Sequence, residues 1–527
     1  MDEADIVVIG GGSGGSAAAG RLAERGYRVA LIEAGGHNVH WQVRMPGGFA
    51  IGKEGTNWKF ETEPQQGLNG RRGYQPRGRG LGGSSAINAM LYLRGAPWDY
   101  DNWASLGCHG WSWDEVLPVF RRAEHNIRGA DAWHGDQGPL WVSDQRYAHP
   151  ASLAFVQAAG QLQHPVNDDF NGERIEGFGL YQVTQRGGER WTAARAYLGD
   201  GTPPANLHIV TDAVVERVLF EDGRAWGVAY RQGGETRTIR AGGGVVLAGG
   251  VFGTPQTLML SGIGDPAELA EHGIATRIAR PAVGADLQDH VDYVAVFEAD
   301  DTSLFGKSMR GNLNAARALW RWFRKREGGF TTPFAESGGF LTTDPAAPAP
   351  DIQFHFVIAM LEDHGRVPVP GHGFSCHACV LRPESRGNVR LRSADARDAP
   401  RIDPAFLTDD RDMATLKRGV RAMYRILETP PIADWKGRDR YPIDLADDDA
   451  LERLIRARAD TIYHPVGTAR MGSDADAVCD PQLAVRGVER LWIADASIMP
   501  RLVSGNTNAP SIMIGERAAD FVGAALG

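Results

Sequence analysis

Cysteine is scarce in this chain: Cys108, Cys376, Cys379 and Cys479 are its only four in 527 residues. That is too few for a disulfide framework, and a reducing setting is the default for so sparse a set. Cys376 and Cys379 form one C-x-x-C without a second half, short of the ligand count of a structural zinc site. They lie in Phe374-Ser375-Cys376-His377-Ala378-Cys379-Val380-Leu381, which reads as a strand with alternating faces, so both are assigned to packing and no metal is expected. Positive charge is not in excess either. A net charge of −9 and a pI of about 5.9 argue against nucleic acid as the main partner. No run of ~18 uninterrupted apolar residues, as a membrane span requires, is present. The opening Met1-Asp2-Glu3-Ala4-Asp5 lacks the basic start and apolar run of a secretory leader, and a cytoplasmic location is expected.

Glycine, by contrast, is abundant. The chain has 67, nearly twice the usual ~7 % share, which suits a protein with much close backbone approach. Three of them, Gly10, Gly12 and Gly15, follow the β-branched run Asp5-Ile6-Val7-Val8-Ile9 in G-x-G-x-x-G spacing, with Ser13 inside the turn. In that pattern the first glycine makes a tight turn, the second lets backbone approach a pyrophosphate and the third lets helix pack on strand. A helix is predicted over Ser16–Arg25, its N-terminal amides facing phosphate. A second strand, Tyr27–Ile32, ends at Glu33, about 20 residues past the glycines, where an acid accepts hydrogen bonds from ribose hydroxyls. These residues point to an ADP-ribose moiety and leave NAD and FAD equally open.

Farther along, Pro76-Arg77-Gly78-Arg79-Gly80-Leu81-Gly82-Gly83-Ser84-Ser85-Ala86-Ile87-Asn88 has the glycines and small hydroxyls of a backbone nest. Strands are predicted at Leu207–Val210, Val214–Phe220 and Gly227–Tyr230. Gly244–Gly250 is a buried strand running into glycine, followed by a helix from Pro255 to Ser261. Residues from about 285 to 455 form a second block of alternating strands, such as Asp351–Phe356. Arg490–Asp495 returns to a buried strand ending in an acid. The order is interleaved, and no tandem repeat is present.

Near the C-terminus stand His464-Pro465-Val466-Gly467-Thr468 and Gly505-Asn506-Thr507-Asn508-Ala509-Pro510. A neutral imidazole is a natural proton acceptor near neutral pH, and Pro465 biases His464 towards extended geometry. Asn508, 44 residues on, can hydrogen-bond a substrate oxygen without competing for its proton. Asn312–Glu327 is read as a helix carrying Trp320, Trp322 and Phe323 among Arg317, Arg321, Arg324, Lys325 and Arg326. It is either an interfacial helix or a surface helix whose aromatics pack inward. Glu362–Gly373, rich in Gly, Pro and His, is read as a flexible loop able to lid a pocket. Tyr463 is placed to shape access to the site. His355, His364, His372 and His377 are candidates for the substrate side or for loop and core roles.

Taken together, these segments resemble the glucose–methanol–choline (GMC) flavoprotein oxidoreductases over essentially the full length. The resemblance rests on Gly10–Glu33, Gly78–Met90, Gly249–Gly264, Val283–His290 and the two C-terminal elements. It implies a Rossmann-like FAD-binding domain (α/β) interleaved with an α+β substrate-binding domain built on an antiparallel sheet. The expected segments are 1–150, 206–284 and 456–527 for the first domain and 151–205 and 285–455 for the second. It implies FAD rather than NAD, with Gly82, Ser84, Asn88 and Met90 lining pyrophosphate and isoalloxazine and Arg79 nearby. Val214 would meet adenine, and Asp495 with Ala496 the phosphate–ribityl region. Ile87 stands where some relatives carry a histidine bonded to the flavin, so noncovalent FAD is expected. His464 becomes the expected base, Asn508 its partner and His290 a structural residue at the domain junction. The expected activity is oxidation of a primary alcohol, aromatic or medium-chain aliphatic, with electrons passing to a quinone-like acceptor or to oxygen. A cyanohydrin lyase is a more distant alternative. If the 312–327 helix touches the inner face of a membrane, a quinone acceptor gains weight.

Overall fold

A computed structural model describes residues 2–527. Its N-terminal strand Glu3–Ile9 is buried along most of its length and runs parallel to Val29–Ile32 on one side and to the end of Glu235–Leu247 on the other. Leu207–Val210 extends this parallel set beyond Val29–Ile32, and Leu491–Ile493 adds to it against Val245–Leu247. The first half of the long strand Glu235–Leu247 turns outward and pairs antiparallel with Arg224–Gln232, which pairs in turn with Ala213–Glu221. Buried on both faces, the central strands are near-continuous Val, Ile, Ala and Leu, as parallel strands under helices must be. The C-terminal strand and helix thus close a sheet begun at the N-terminus, and both ends of the sequence meet at one place.

The helix after the first strand spans Ser13–Glu24 rather than Ser16–Arg25. Gly12 takes the N-cap position, so Gly14 and Gly15 lie inside the first turn, where they allow contact closer than any side chain permits. A Cβ on Gly14 would lie 2.0 Å from the Ala494 carbonyl oxygen, and one on Gly15 would lie 2.0 Å from that of Gly10. The helix predicted from Pro255 likewise begins earlier, at Gly250.

The second sheet is antiparallel throughout. Its order is Asp460–Thr461, Val291–Ala299, Gly371–Val380, Ile352–Val357, Ala335–Leu341 and Gly177–Leu180, with the short strand Gly306–Lys307 also on Gly371–Val380. Strand alternation gives it two unlike faces. Tyr293, Phe354, Phe356, Phe374, Cys376 and Ala378 lie in an apolar core with the helix Asp410–Leu427, whose Met413, Leu416, Val420, Met423 and Leu427 recur at helical spacing. Gly419 lets that helix close on the sheet, since a Cβ there would meet the Ile352 side chain at 2.6 Å. On the other face, Asp292 and Gln353 flank Cys379, and His355 opposes His377. Three positions apart on one strand, Cys376 and Cys379 belong to opposite faces, and both are free and buried.

Glu362–Gly373 is not a loop throughout. Gly371–Gly373 belong to a strand, and His372 is buried, its ring hydrogen-bonded to the Leu304 carbonyl and the Ser308 hydroxyl. No helix among the described residues is long and apolar enough to cross a membrane.

Gly15→Ala tests the junction of strand and helix. The added methyl meets backbone that cannot rotate away, so the urea midpoint should fall by the equivalent of about 1–3 kcal/mol.

Candidate active site

His464 lies where the two sheets approach each other, and its backbone is fixed before its ring is. Its amide donates to Asp289 Oδ1 at 2.9 Å, while Asp289 Oδ2 accepts from the Thr461 hydroxyl at 2.6 Å and from Gln75 at 3.2 Å. Burial raises the Asp289 carboxyl to about 6. The preceding Tyr463 has φ +76°, a costly value for a bulky side chain, and it persists because neighbours hold it. Its amide donates to Thr461 Oγ1, its carbonyl accepts from the buried Arg77 guanidinium, and its hydroxyl meets His364 Nδ1 at 2.7 Å. Asp460 holds the other nitrogen of His364 at 3.2 Å.

The ring of His464 is part of a hydrogen-bonded series. His290 Nε2 lies 3.1 Å from the Leu381 carbonyl oxygen, which can only accept, so the His290 proton is on Nε2. Burial lowers the His290 pKa to about 3, so its ring is neutral and its Nδ1 bare. His290 Nδ1 and His464 Nδ1 are 3.0 Å apart, and the proton between them therefore belongs to His464. Burial first, then the neighbouring His290, His355 and Arg77, hold His464 well below the usual imidazole range. The result is a neutral ring with its lone pair on Nε2. Facing that lone pair is Asn506, whose Nδ2 donates at 2.9 Å, and the amide is oriented by Gln353 Nε2 donating to its Oδ1 at 3.3 Å.

Here the structure corrects the sequence reading. Asn506, not Asn508, stands against His464. Asn508 is the first residue of the helix Asn508–Leu526, and its Oδ1 accepts from the Ser13 hydroxyl at 2.7 Å. Ala509-Pro510 already marks a helix start at this point and was the available signal. His290, expected as a structural residue at the domain junction, touches His464 directly. Sequence reasoning also passed over Asp289, Asp292 and Gln353. Asp289 lies within the Val283–His290 segment next to His290, whereas Asp292 and Gln353 carry no local motif and are selected by strand alternation and register.

Around the Gly-rich turn, the Ser13–Asn508 bond joins the N-termini of two helices, Ser13–Glu24 and Asn508–Leu526, neither of which has a side-chain cap. Uncapped amides and positive helix ends suit a pyrophosphate. Gly12 has open space where its Cβ would be, in a loop otherwise packed closely, so the turn leaves room for a ligand to approach its backbone. Glu33 is 6 % exposed and clamps three loops, accepting from the amides of Gly11, Gly35 and Gly80. Gly82 donates its amide to the Gly11 carbonyl, Ser84 Oγ accepts from Gly78, and Asn88 Oδ1 accepts from Met90 N and Arg190. Asp495 accepts from Gly250 N, Thr254 Oγ1 and Ser497 N, with Ala496 buried beside it. Val214 is half-buried on the strand Ala213–Glu221. The guanidinium of Arg79 lies over Trp58 and donates to the Ala34 carbonyl. The Met90 side chain is fully buried in the core of the second sheet. The buried Ser497 hydroxyl has no partner, which also fits a cradle for a polar group.

A dinucleotide cradle built from both chain ends, beside a buried neutral histidine, defines a cofactor-dependent oxidoreductase. Family models described as GMC oxidoreductase match residues 4–292 and 383–515. The chain is 44 % identical to alcohol dehydrogenase [acceptor] of Pseudomonas putida, over 98 % of this chain and 95 % of the relative. It is 40 % identical to mitochondrial choline dehydrogenase of Homo sapiens, over 99 % of this chain and 90 % of the relative. Among solved structures, pyridoxine 4-oxidase from Mesorbium loti superposes with a TM-score of 0.88 at 31 % identity, covering 98 % of each chain. A variant of formate oxidase of Aspergillus oryzae RIB40 superposes with a TM-score of 0.92 at 25 % identity, over 99 % of this chain and 98 % of the other. The chain belongs to the GMC oxidoreductase family. It is a flavoprotein enzyme of the alcohol and choline dehydrogenase-like group, acting on CH–OH donors.

The two asparagines should separate in experiment. Asn508→Ala should weaken cofactor retention, read by flavin fluorescence after gel filtration. Asn506→Ala should keep the cofactor and lower the rate of flavin reduction about 10²-fold.

Proposed function

We propose that this enzyme oxidises a primary alcohol to an aldehyde, with His464 as the base, noncovalently bound FAD as the cofactor and a quinone-like acceptor as the electron sink. The observation that carries this reading is the lone pair of His464 Nε2, fixed by His290 and faced by an oriented amide donor. The FAD ring system supplies the hydride acceptor when bound. Gly10, Gly12, Ser13, Gly15, Glu33 and the Gly82–Asn88 segment would hold it, with Asp495 and Ala496 on the side of the C-terminal strand. Ile87 has no atom with which to form a covalent flavin bond.

In this reading the substrate hydroxyl donates to His464 Nε2, while Asn506 Nδ2 donates to the substrate oxygen and stabilises alkoxide charge as it grows. The His464 pKa, low in a buried neutral site, rises as that negative charge develops beside it, so proton transfer and C–H cleavage support each other. Tyr463, locked by Thr461, Arg77 and His364, narrows the approach.

Substrate preference follows from the sheet face opposite. Gln353 Oε1, His355 Nδ1, His377 Nε2 and Asp292 Oδ1 are buried without partners, and Asp292 Oδ2 orients His377 Nδ1 at 2.6 Å. Buried polar atoms are ordinarily paired. An alcohol bearing a second hydrogen-bonding group would pair them, and it is favoured over the plain aromatic or medium-chain aliphatic alcohol that the family resemblance implies. The generic acceptor in the name of the Pseudomonas putida relative supports a dehydrogenase. A Brucella anthropi relative, 38 % identical over 99 % of this chain, is named an oxygen-dependent choline dehydrogenase and keeps the oxidase alternative open.

The test is anaerobic mixing of the yellow holoenzyme with primary alcohols. Bleaching that persists in air supports a dehydrogenase, and rapid recolouring an oxidase. No bleaching across matched alkanols and diols would refute alcohol oxidation and favour lyase chemistry. Diols should exceed alkanols of equal length about tenfold in kcat/KM, the worth of one net hydrogen bond. The bleaching rate should stay level as the pH falls to 6.5, because His464 is already neutral there.

A further inference from the structure

The helix Met309–Lys325 carries apolar residues on two opposite sides. Its inner side is accounted for. Ala315, Ala318, Leu319 and Trp322 pack with Met45 and Phe330, and Trp322 Nε1 donates to the Gly188 carbonyl at 2.9 Å. Its outer side is met by Trp41 at Phe323, with ring centroids 5.2 Å apart, and the rest of it faces solvent. Met309, Leu313, Trp320 and Phe323 are 91, 51, 65 and 47 % exposed. With the exposed Ala316 they recur at steps of four, three, four and three residues, which puts them in one stripe along the helix. Single exposed apolar residues are ordinary on a protein surface, but a continuous stripe marks an interaction surface.

Charge identifies the partner. Residues 309–326 hold Arg310, Arg317, Arg321, Arg324, Lys325 and Arg326 and no acid, in a chain of net charge −9. Arg326 is engaged by Glu189 at 2.8 Å and Arg321 lies 3.7 Å from Glu327. Arg310, Arg317, Arg324 and Lys325 have no acidic partner among the described residues. Beside the helix is an open cavity of about 550 Å³ lined by Arg146, Tyr147, Arg317, Arg321 and one acid, Glu327, which lies 4.0 Å from Arg146 and 3.7 Å from Arg321. An apolar stripe with an indole, flanked by cations and running parallel to the surface, matches the boundary between headgroups and acyl chains.

We propose that this helix docks the enzyme on an anionic lipid bilayer. Met309, Leu313, Trp320 and Phe323 enter the acyl boundary, and Arg310, Arg317, Arg324 and Lys325 meet lipid phosphates. The docked helix is tied to the catalytic side of the molecule. Ser308 caps it by accepting from Gly311 N at 3.0 Å and bonds His372 at 2.6 Å. Bridges from Phe305 to Ala359 and from Lys307 to Pro370 join its approach to the segment whose His364 holds Tyr463.

The experiment is flotation of the purified holoenzyme with vesicles of phosphatidylcholine alone and of phosphatidylcholine mixed with phosphatidylglycerol. Flotation with the anionic vesicles, reversed by salt, is expected. Leu313→Glu combined with Trp320→Glu, both solvent-facing, should weaken partitioning about tenfold or more and leave turnover with a water-soluble dye unchanged. Wild-type protein that stays in the aqueous fraction at low salt would overturn the proposal. So would a double variant that floats like wild type, or vesicle-free self-association that the same substitutions abolish, which would assign the stripe to a second copy of the chain. Vesicle binding is read without turnover, so it stands or falls separately from the alcohol-oxidation reading.

Discussion

One proton, on Nδ1 of His464, organises the catalytic side of this molecule. It is held there because His290 presents a bare Nδ1 at 3.0 Å, and that nitrogen is bare because the Leu381 carbonyl takes the other His290 proton at 3.1 Å. A backbone carbonyl on one segment thus decides which nitrogen of a ring on another carries the proton. Tautomer choice in an isolated imidazole is nearly free, and fixing it requires an acceptor that cannot rotate or titrate. Both conditions are met, because Leu381 continues the strand Gly371–Val380 and burial keeps His290 neutral.

Such an arrangement requires rigidity around a group that burial would otherwise disfavour. The backbone of His464 is anchored by Asp289, whose carboxyl is shared with Thr461 and Gln75. Tyr463 keeps a left-handed backbone only because Thr461, Arg77 and His364 over-determine it. The dinucleotide cradle is built with the same economy of motion. Glu33 binds three loops by their amides, and Ser13 links two helix starts that lie 495 residues apart. The Gly-rich turn and His464 come together from opposite ends of the chain because the parallel sheet places its first and last strands on either side of Val245–Leu247.

Much of this was legible in the sequence wherever function depends on local spacing. The Gly10–Glu33 unit, the alternation around Cys376 and the His464-Pro465 element are written in short windows. Helix starts were read late, at Ser16 and Pro255, because glycines inside a first turn look like loop until the tertiary contact that demands them is visible. The partner of His464 was misread by two residues. Asn506 and Asn508 have the same chemistry, and only the onset of the final helix assigns one to His464 and the other to Ser13. The Asp292–His377 pair and Gln353 were invisible for a different reason: they become neighbours only through the register of three strands. The aromatics of the basic helix divide as neither simple reading required, with Trp322 inward and Trp320 and Phe323 outward.

The most direct test of the central claim is ¹⁵N NMR of histidine-labelled holoenzyme, with His464 assigned by comparison with a His464→Gln variant. The account predicts a protonated Nδ1 and a bare Nε2 on His464, unchanged as the pH falls to 6.5, and loss of that tautomer preference in His290→Phe. A proton on Nε2, or an imidazolium at neutral pH, would contradict it.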